Sequence, residues 1–326
     1  MHIAFALSGR AAMGGAGLAY AEAMAAGLRT MGQTVRVTED DDPAWAPGAV
    51  PVIDGLLLPH LLPRLDALAE AGAVALIHHA LAGAGRDAGQ RAEVAAALRA
   101  MLPRLRRVIA TSRPVADRLM QEFGLAAVDV VEPGAHDLPR NAAAGGTCRI
   151  LSVGVLTPRK GHDVLLRALA RLWDLDWSLT IAGAAGRDPE HAAYLAALIP
   201  ELGLAGRVRL LADPDGAELD ALWREAHLFA LATRWEGYAA GVAEALRRGI
   251  PVIMTQGDKT EGGALVPADA GAVCALEDEP TLSKCLRRLV FDTDLRAEMA
   301  EGAWRAGQDL PSWQTQAAAL EQILRS

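Results

Sequence analysis

The sequence predicts an α/β protein of two doubly wound domains, each a parallel sheet of about six strands with crossover helices. Two observations carry this. Short β-rich runs alternate throughout with longer segments of helical period, and an aperiodic stretch of Pro, Gly and small residues, Pro139 to Thr147, divides the alternation into two similar halves. At 326 residues the chain is long enough for two separate cores.

In the first half, strands are predicted at His2–Leu7, Thr34–Thr38, Val50–Asp54, Val74–Ile77, Val108–Thr111 and Val128–Val131, with helices between most of them. In the second half they are predicted at Arg149–Val153, Ser178–Ala182, Val208–Leu211, Leu228–Leu231, Pro251–Met254 and Ala272–Ala275. The domains are expected at 1–143 and 148–310. A last helix, 312–326, opens on Ser312 as N-cap after Pro311, sets Ala317, Leu320, Ile323 and Leu324 on one face, and can pack back on the first domain. Ligands of such sheets bind outside the C-terminal strand ends, and two sheets facing each other would make a cleft.

Composition narrows the function classes. With 52% apolar and 22% charged residues the chain is globular, and a net charge of −8 argues against nucleic acid as a partner. The three cysteines lack zinc or redox spacing and read as reduced core residues of a cytoplasmic protein. Met1 to Leu7 is too short for a signal peptide and is ended by Ser8-Gly9-Arg10. No run reaches the about 18 apolar residues that span a bilayer, so any membrane contact is expected to be peripheral. The cluster Arg104, Arg106, Arg107, Arg113 and Arg118 reads as an anion-attracting patch or as a solvated helix face.

Two motifs carry chemistry. Trp235-Glu236-Gly237-Tyr238-Ala239-Ala240-Gly241-Val242-Ala243-Glu244 follows one predicted strand and opens a helix running to about Arg248. Glu236 in the loop and Glu244 two turns into the helix can face one ligand while first-turn amides hold its phosphates. Equally, Glu244 can be a solvated helix residue and Glu236 a carboxylate favoured by the helix dipole. The second motif is Leu156-Thr157-Pro158-Arg159-Lys160-Gly161-His162-Asp163, at the turn between the strand Arg149–Val153 and a helix predicted over Asp163–Trp173. Arg159 can fork onto phosphate oxygens and Lys160 acts as a point charge, so the pair suits a diphosphate; a solvated turn is the alternative.

With these two motifs the chain resembles the retaining GT-B glycosyltransferases of sequence family four, a fold of two Rossmann-like domains facing across a cleft. The resemblance covers essentially the whole chain and is strongest from Arg149 to Val252. In the first half Gly14-Gly15 resembles the family's glycine loop, Ile77-His78-His79 its strand-end histidine, and Val131-Glu132-Pro133-Gly134 the close of its first sheet. The resemblance implies a hexosyltransferase that moves a sugar from a nucleotide-sugar donor to a sugar, lipid-linked or small-molecule acceptor with retention. It also implies that Arg159 and Lys160 hold the donor diphosphate, Gly14, Gly15 and Gly237 to Ala240 adjoin it, Glu244 takes the ribose, and Glu236 and His78 face the transferred sugar. Val155 stands where many relatives have Arg, and Ala239 where many have Gly, which would add a methyl group near the ligand.

No metal site is expected, since Asp40-Asp41-Asp42 reads as a solvated loop, and no cofactor beyond the donor, itself a substrate. The rival readings are a catalytically silent protein of the same fold, a nucleotide-sugar epimerase, and a nicotinamide-dependent enzyme. Gly15-Ala16-Gly17 suggests the last, but Tyr20 occupies its third small-residue position.

Overall fold

The computed structural model of the chain describes residues 1–8, 16–78, 88–141, 143, 145–234, 238–256 and 265–326. They divide into two compact units, Met1–Gly134 with Pro311–Ser326, and Ala135–Leu310.

The first unit runs β1 (His2–Leu7), α1 (Ala16–Thr30), β2 (Thr34–Glu39), β3 (Ala49–Asp54), α2 (Leu65–Glu70), β4 (Val74–Ile77), α3 (Ala88–Met101), β5 (Arg107–Ala110), α4 (Arg113–Phe123) and β6 (Asp129–Val130). Its sheet is parallel, in the order β2-β1-β3-β4-β5-β6. All four side chains of β4 are buried because both faces of the sheet are covered, as a parallel sheet requires.

The second unit runs β7 (Cys148–Val153), α5 (His162–Ala170), β8 (Trp177–Gly183), α6 (Pro189–Glu201), β9 (Val208–Ala212), α7 (Gly216–Glu225), β10 (Leu228–Leu231), α8 (Ala240–Arg247), β11 (Val252–Gln256), β12 (Gly271–Ala275), α9 (Glu279–Phe291) and α10 (Thr293–Asp309). Its sheet is parallel, in the order β12-β11-β10-β7-β8-β9. One core, with Val164, Leu165, Leu195 and Leu286, fills one face, and another, with Trp223, Phe229, Val242 and Leu246, fills the other. The chain then returns to the first unit as α11 (Trp313–Arg325), where Ser312 caps through Thr315 N–H and Ala317, Leu320 and Leu324 pack with Tyr20, Met24 and Leu28 of α1.

The Pro139–Thr147 stretch belongs to the second unit. Asn141 donates through Nδ2 to the carbonyls of Trp223 and Ala226, and its own N–H bonds Arg248 O, which fastens the stretch to the ends of α7 and α8. α5 stops at Ala170 rather than Trp173, and the Trp173 side chain is exposed. Cys274 on β12 and Cys285 on α9, eleven residues apart in sequence, bring their sulfurs to 3.7 Å, with burial pushing the Cys274 thiol up to about 12. The arginine cluster is engaged locally: Arg104 pairs with Asp66, Arg113 with Asp117, and Arg107 lies 3.9 Å from Asp129. Among the described residues no helix is long and apolar enough to cross a membrane.

Candidate active site

In a doubly wound sheet the place where successive strands are laid to opposite sides leaves a crevice at the carboxyl ends. In the second unit β8 lies on one side of β7 and β10 on the other. The turn carrying Arg159 and Lys160 follows β7, and the segment from Thr233 to Ala240 follows β10, so both sequence motifs meet at that switch point.

The turn is a short 3-10 segment, Pro158–Lys160, closed by Gly161 at φ +61°. Thr233 Oγ1 and Arg234 N–H both donate to Arg159 O, at 3.2 and 2.8 Å, and Thr255 Oγ1 donates to Thr233 O at 2.8 Å. The side chain of Lys160 lies across Gly154: a Cβ there would stand 3.0 Å from Lys160 Cδ and Cε. Beneath the turn, His162 is fully buried, with Nδ1 3.5 Å from Ser152 Oγ and Nε2 3.4 Å from Gly154 O. Burial, then the charge of Lys160, lowers its pKa to about 4, so the ring stays neutral and acts as a strut.

α8 opens at Ala239 without a side-chain cap; the Ala240 and Val242 N–H groups donate to Tyr238 O and Ala239 O, so what its start offers an anion is chiefly the helix dipole. The Ala239 methyl is 2% exposed and packs in the core with Phe229, Val242 and Leu246. Glu244, 35% exposed, accepts through Oε1 from Arg248 Nη2 (3.1 Å) and Nε (3.3 Å). Arg248 is 3% exposed and reaches on to Asp220 Oδ1 at 2.7 Å. Burial pushes the Glu244 carboxyl up, opposed by the Arg248 charge. Its Oε2 accepts no bond among the described residues and is the oxygen available to a ligand hydroxyl.

In the first unit the switch point lies between β1 and β3, with β4 next. There His78 Nε2 stands 3.5 Å from Asp54 Oδ2, and the His78 ring meets Tyr20 edge-on at 5.0 Å. Gly17 lets α1 start against this pair: a Cβ would meet Asp54 Oδ2 at 3.3 Å and His78 Nε2 at 3.5 Å. Tyr20 is buried and donates to Val131 O, so the position at which a dinucleotide loop needs a small residue is filled by a core aromatic. Glu236, Gly14, Gly15 and Gly237, with His79, lie outside the described residues, whereas Arg159, Lys160, Tyr238, Ala239, Ala240 and Glu244 lie within the second unit.

The Asp54 carboxyl is 4% exposed, and burial raises its pKa from 3.8 to about 6 against the hydrogen bond from Leu56 N–H. The folded state therefore holds a proton that the unfolded chain has released, so the contribution of Asp54 to stability is full below about pH 4 and is lost as pH rises through about 6. Asp54→Asn keeps the acceptor and removes the titration. Between pH 4.5 and 7.5 its unfolding free energy should fall by about 2 kcal/mol less than that of the wild type, at about 1.4 kcal/mol for each tenfold change in proton affinity. Denaturant titration at both pH values checks this, and parallel losses in the two proteins would remove the burial argument.

Comparison with known proteins returns one consistent group. The family model described as "Glycosyl transferases group 1" matches residues 137–305, almost the whole second unit. D-inositol 3-phosphate glycosyltransferase of Salinispora arenicola is 30% identical over 248 residues, 67% of this chain and 54% of the relative. That of Corynebacterium jeikeium is 34% identical over 179 residues, 52% of this chain and 42% of the relative. The chain thus spans about half the length of these relatives. Among solved structures, sucrose-phosphate synthase from Thermosynechococcus elongatus superposes with a TM-score of 0.83 at 16% identity, covering 100% of this chain and 98% of the other. Anabaena HepE in complex with UDP-glucose gives 0.79 at 19% identity, covering 100% and 99%.

Proposed function

Since the chain belongs to the glycosyl transferases group 1 family, we propose that it is a retaining hexosyltransferase that moves a sugar from a nucleotide-sugar donor to a sugar, lipid-linked or small-molecule acceptor. The observation that carries this reading is the placement of Arg159 and Lys160, two cations on one turn, at the switch point of the second sheet and bonded to the loop of the second motif. A diphosphate leaving group needs such fixed charge. The start of α8 adds its helix dipole, and Glu244 Oε2 receives the ribose hydroxyls.

In the proposed reaction the bond from the sugar anomeric carbon to the diphosphate oxygen breaks as the acceptor oxygen bonds the same carbon from the same face. The acceptor proton passes to the departing phosphate oxygen. Protein groups supply position and charge rather than a covalent nucleophile. A cytoplasmic, metal-independent reaction is part of the proposal, supported by cysteines and carboxylates without metal-ligand spacing in the sequence. Placement of the Ala239 methyl in the core takes away one reason to favour a silent scaffold.

A thermal-shift screen of UDP, GDP, ADP and NAD tests the reading, since a ligand at 100 times its Kd stabilises by about 2.7 kcal/mol. One nucleoside diphosphate should stand out; a response to NAD alone would return the nicotinamide alternative. UDP-glucose, held in the HepE complex, and D-inositol 3-phosphate, from which the Salinispora relative takes its name, are the first donor and acceptor to assay. In the same assay Glu244→Gln should weaken the selected diphosphate by about 1.5–3 kcal/mol, roughly 10- to 100-fold, as loss of hydrogen bonds to a charged acceptor. Gln keeps the side-chain volume beside Arg248, and Asp220 remains as its partner. Unchanged affinity in the folded variant would make Glu244 a partner of Arg248 alone.

A further inference from the structure

We propose that Arg234 is a positioning residue for donor binding: with Asp163 and Glu277 it ties the turn bearing Arg159 and Lys160 to the loop that leads into Trp235 and Glu236. The inference rests on the glycosyl-transfer reading above and goes beyond its expected ligand contacts, because Arg234 acts on other residues rather than on the donor.

All five N–H groups of the Arg234 fork donate. Nη1 reaches Asp163 Oδ1 at 2.9 Å and Pro158 O at 2.6 Å; Nη2 reaches Asp163 Oδ2 at 2.9 Å and Glu277 Oε2 at 3.3 Å; Nε reaches Glu277 Oε1 at 2.5 Å. Its backbone N–H bonds Arg159 O, so one residue grips the cationic turn by both main chain and side chain. Three strand-end loops converge on it, those after β7, β10 and β12.

The partners are themselves held. Asp163 sits in the first turn of α5, 10% exposed, and takes a second arginine, Arg167, at 3.1 Å, which in turn donates to Tyr194 Oη at 2.7 Å. Burial alone would raise the Asp163 carboxyl, yet the hydrogen bonds and charges of Arg234 and Arg167 hold it below the ordinary range, so it stays ionised as a fixed anchor. Glu277 adopts φ +56°, one of two non-glycine residues with positive φ among the described residues. L-residues rarely adopt that conformation, and here the residue is held by the Arg234 fork.

Such a clamp has a consequence that simple packing lacks. The turn is proposed to meet the diphosphate and Glu244 the ribose, so a nucleoside monophosphate draws less on the turn than a diphosphate or a nucleotide-sugar does. Lysine keeps the charge but offers a point where the site uses a planar fork with five directions. In Arg234→Lys the turn loses register, so binding of the diphosphate and of the donor suffers more than binding of the monophosphate.

The test is calorimetry of wild type, Arg234→Lys and Glu277→Gln with three probe sets, UMP, UDP and UDP-glucose, GMP, GDP and GDP-mannose, AMP, ADP and ADP-glucose, followed by kcat and KM for the donor that binds. Expected for Arg234→Lys is monophosphate affinity within about threefold of wild type, diphosphate and donor affinity both down at least about tenfold, and kcat/KM down about 100-fold, as for small misplacements of reacting groups. Glu277→Gln, whose side chain is more than half exposed, keeps the fold and should shift the ratio of monophosphate to diphosphate affinity by a smaller factor. Equal loss of monophosphate and diphosphate, or no loss of either, overturns the positioning role. A wild-type chain that binds none of the donors overturns the glycosyl-transfer reading, and this proposal with it.

Discussion

Lys160→Ala is expected to lower kcat/KM by about 100- to 1,000-fold while leaving the melting temperature nearly unchanged. The cation is proposed to meet charge that develops on the diphosphate as the sugar departs, and loss of one such contact costs roughly 2.7–4 kcal/mol of transition-state stabilisation by analogy with an oxyanion donor. Folding is affected little because the Lys160 stem lies on Gly154 at the surface end of β7 rather than in either core of the second unit. Arg159→Ala should act in the same sense. Val155, on the adjoining loop, carries no charge that could replace either. The measurement is steady-state kinetics with the donor selected by the nucleotide screen, beside thermal unfolding of each variant. Wild-type turnover in both variants would mean that the turn is not the diphosphate site, and the silent-scaffold reading would gain. A collapse of turnover with the fold intact would also weaken the nicotinamide reading, since hydride transfer has no use for two cations on that turn.

How much of this was legible follows from what lies close in sequence. The strands stood out because parallel strands covered on both faces become short apolar runs, and β1, β4 and β10 match their predicted limits. Helix ends were harder. Pattern alone extended α5 to Trp173, whereas the chain leaves the helix at Arg171 and turns so that Asp174 can meet Arg287 of α9. Small residues made Pro139–Thr147 look free, but Asn141 carries the polar side chain that fastens it to the second unit. In the site, Arg159 and Lys160 were readable because the turn holds them side by side. Arg234, Asp163 and Glu277 were not, since their meeting joins positions 71 and 43 residues apart and exists only once three loops leave the same edge of the sheet. His78 was singled out at the end of its strand, but its pairing with Asp54 was hidden for the same reason, the two residues lying on different strands. A sequence signal for the clamp did exist: an arginine directly before the Trp235-Glu236 motif, two residues after the apolar run Leu228 to Ala232.

Gly161→Ala should destabilise the second unit by more than about 3 kcal/mol, in the range that only a few mechanisms reach. Two costs coincide. Gly161 sits at φ +61°, where a Cβ is disfavoured by roughly 1–2 kcal/mol. A Cβ built there would also lie 1.8 Å from Ala232 O and 2.8 Å from its carbonyl carbon, a backbone overlap that no side-chain rotation can relieve. Ala232 cannot withdraw easily, because it is 3% exposed at the end of β10 and the next residue is held by Thr255 Oγ1. The turn cannot withdraw either without breaking the bonds from Thr233 and Arg234 to Arg159 O. Gly203→Ala supplies the internal comparison: it lies in the same unit, at φ +71°, with no atom within 4 Å of the added carbon, so it should show the backbone cost alone, about 1 kcal/mol. Denaturant unfolding of both variants separates the two costs, the excess in Gly161→Ala being the close approach of turn to strand. Equal losses would mean that the turn rides over β10 with room to spare, and the tight join of the two motifs at the switch point would lose its physical basis.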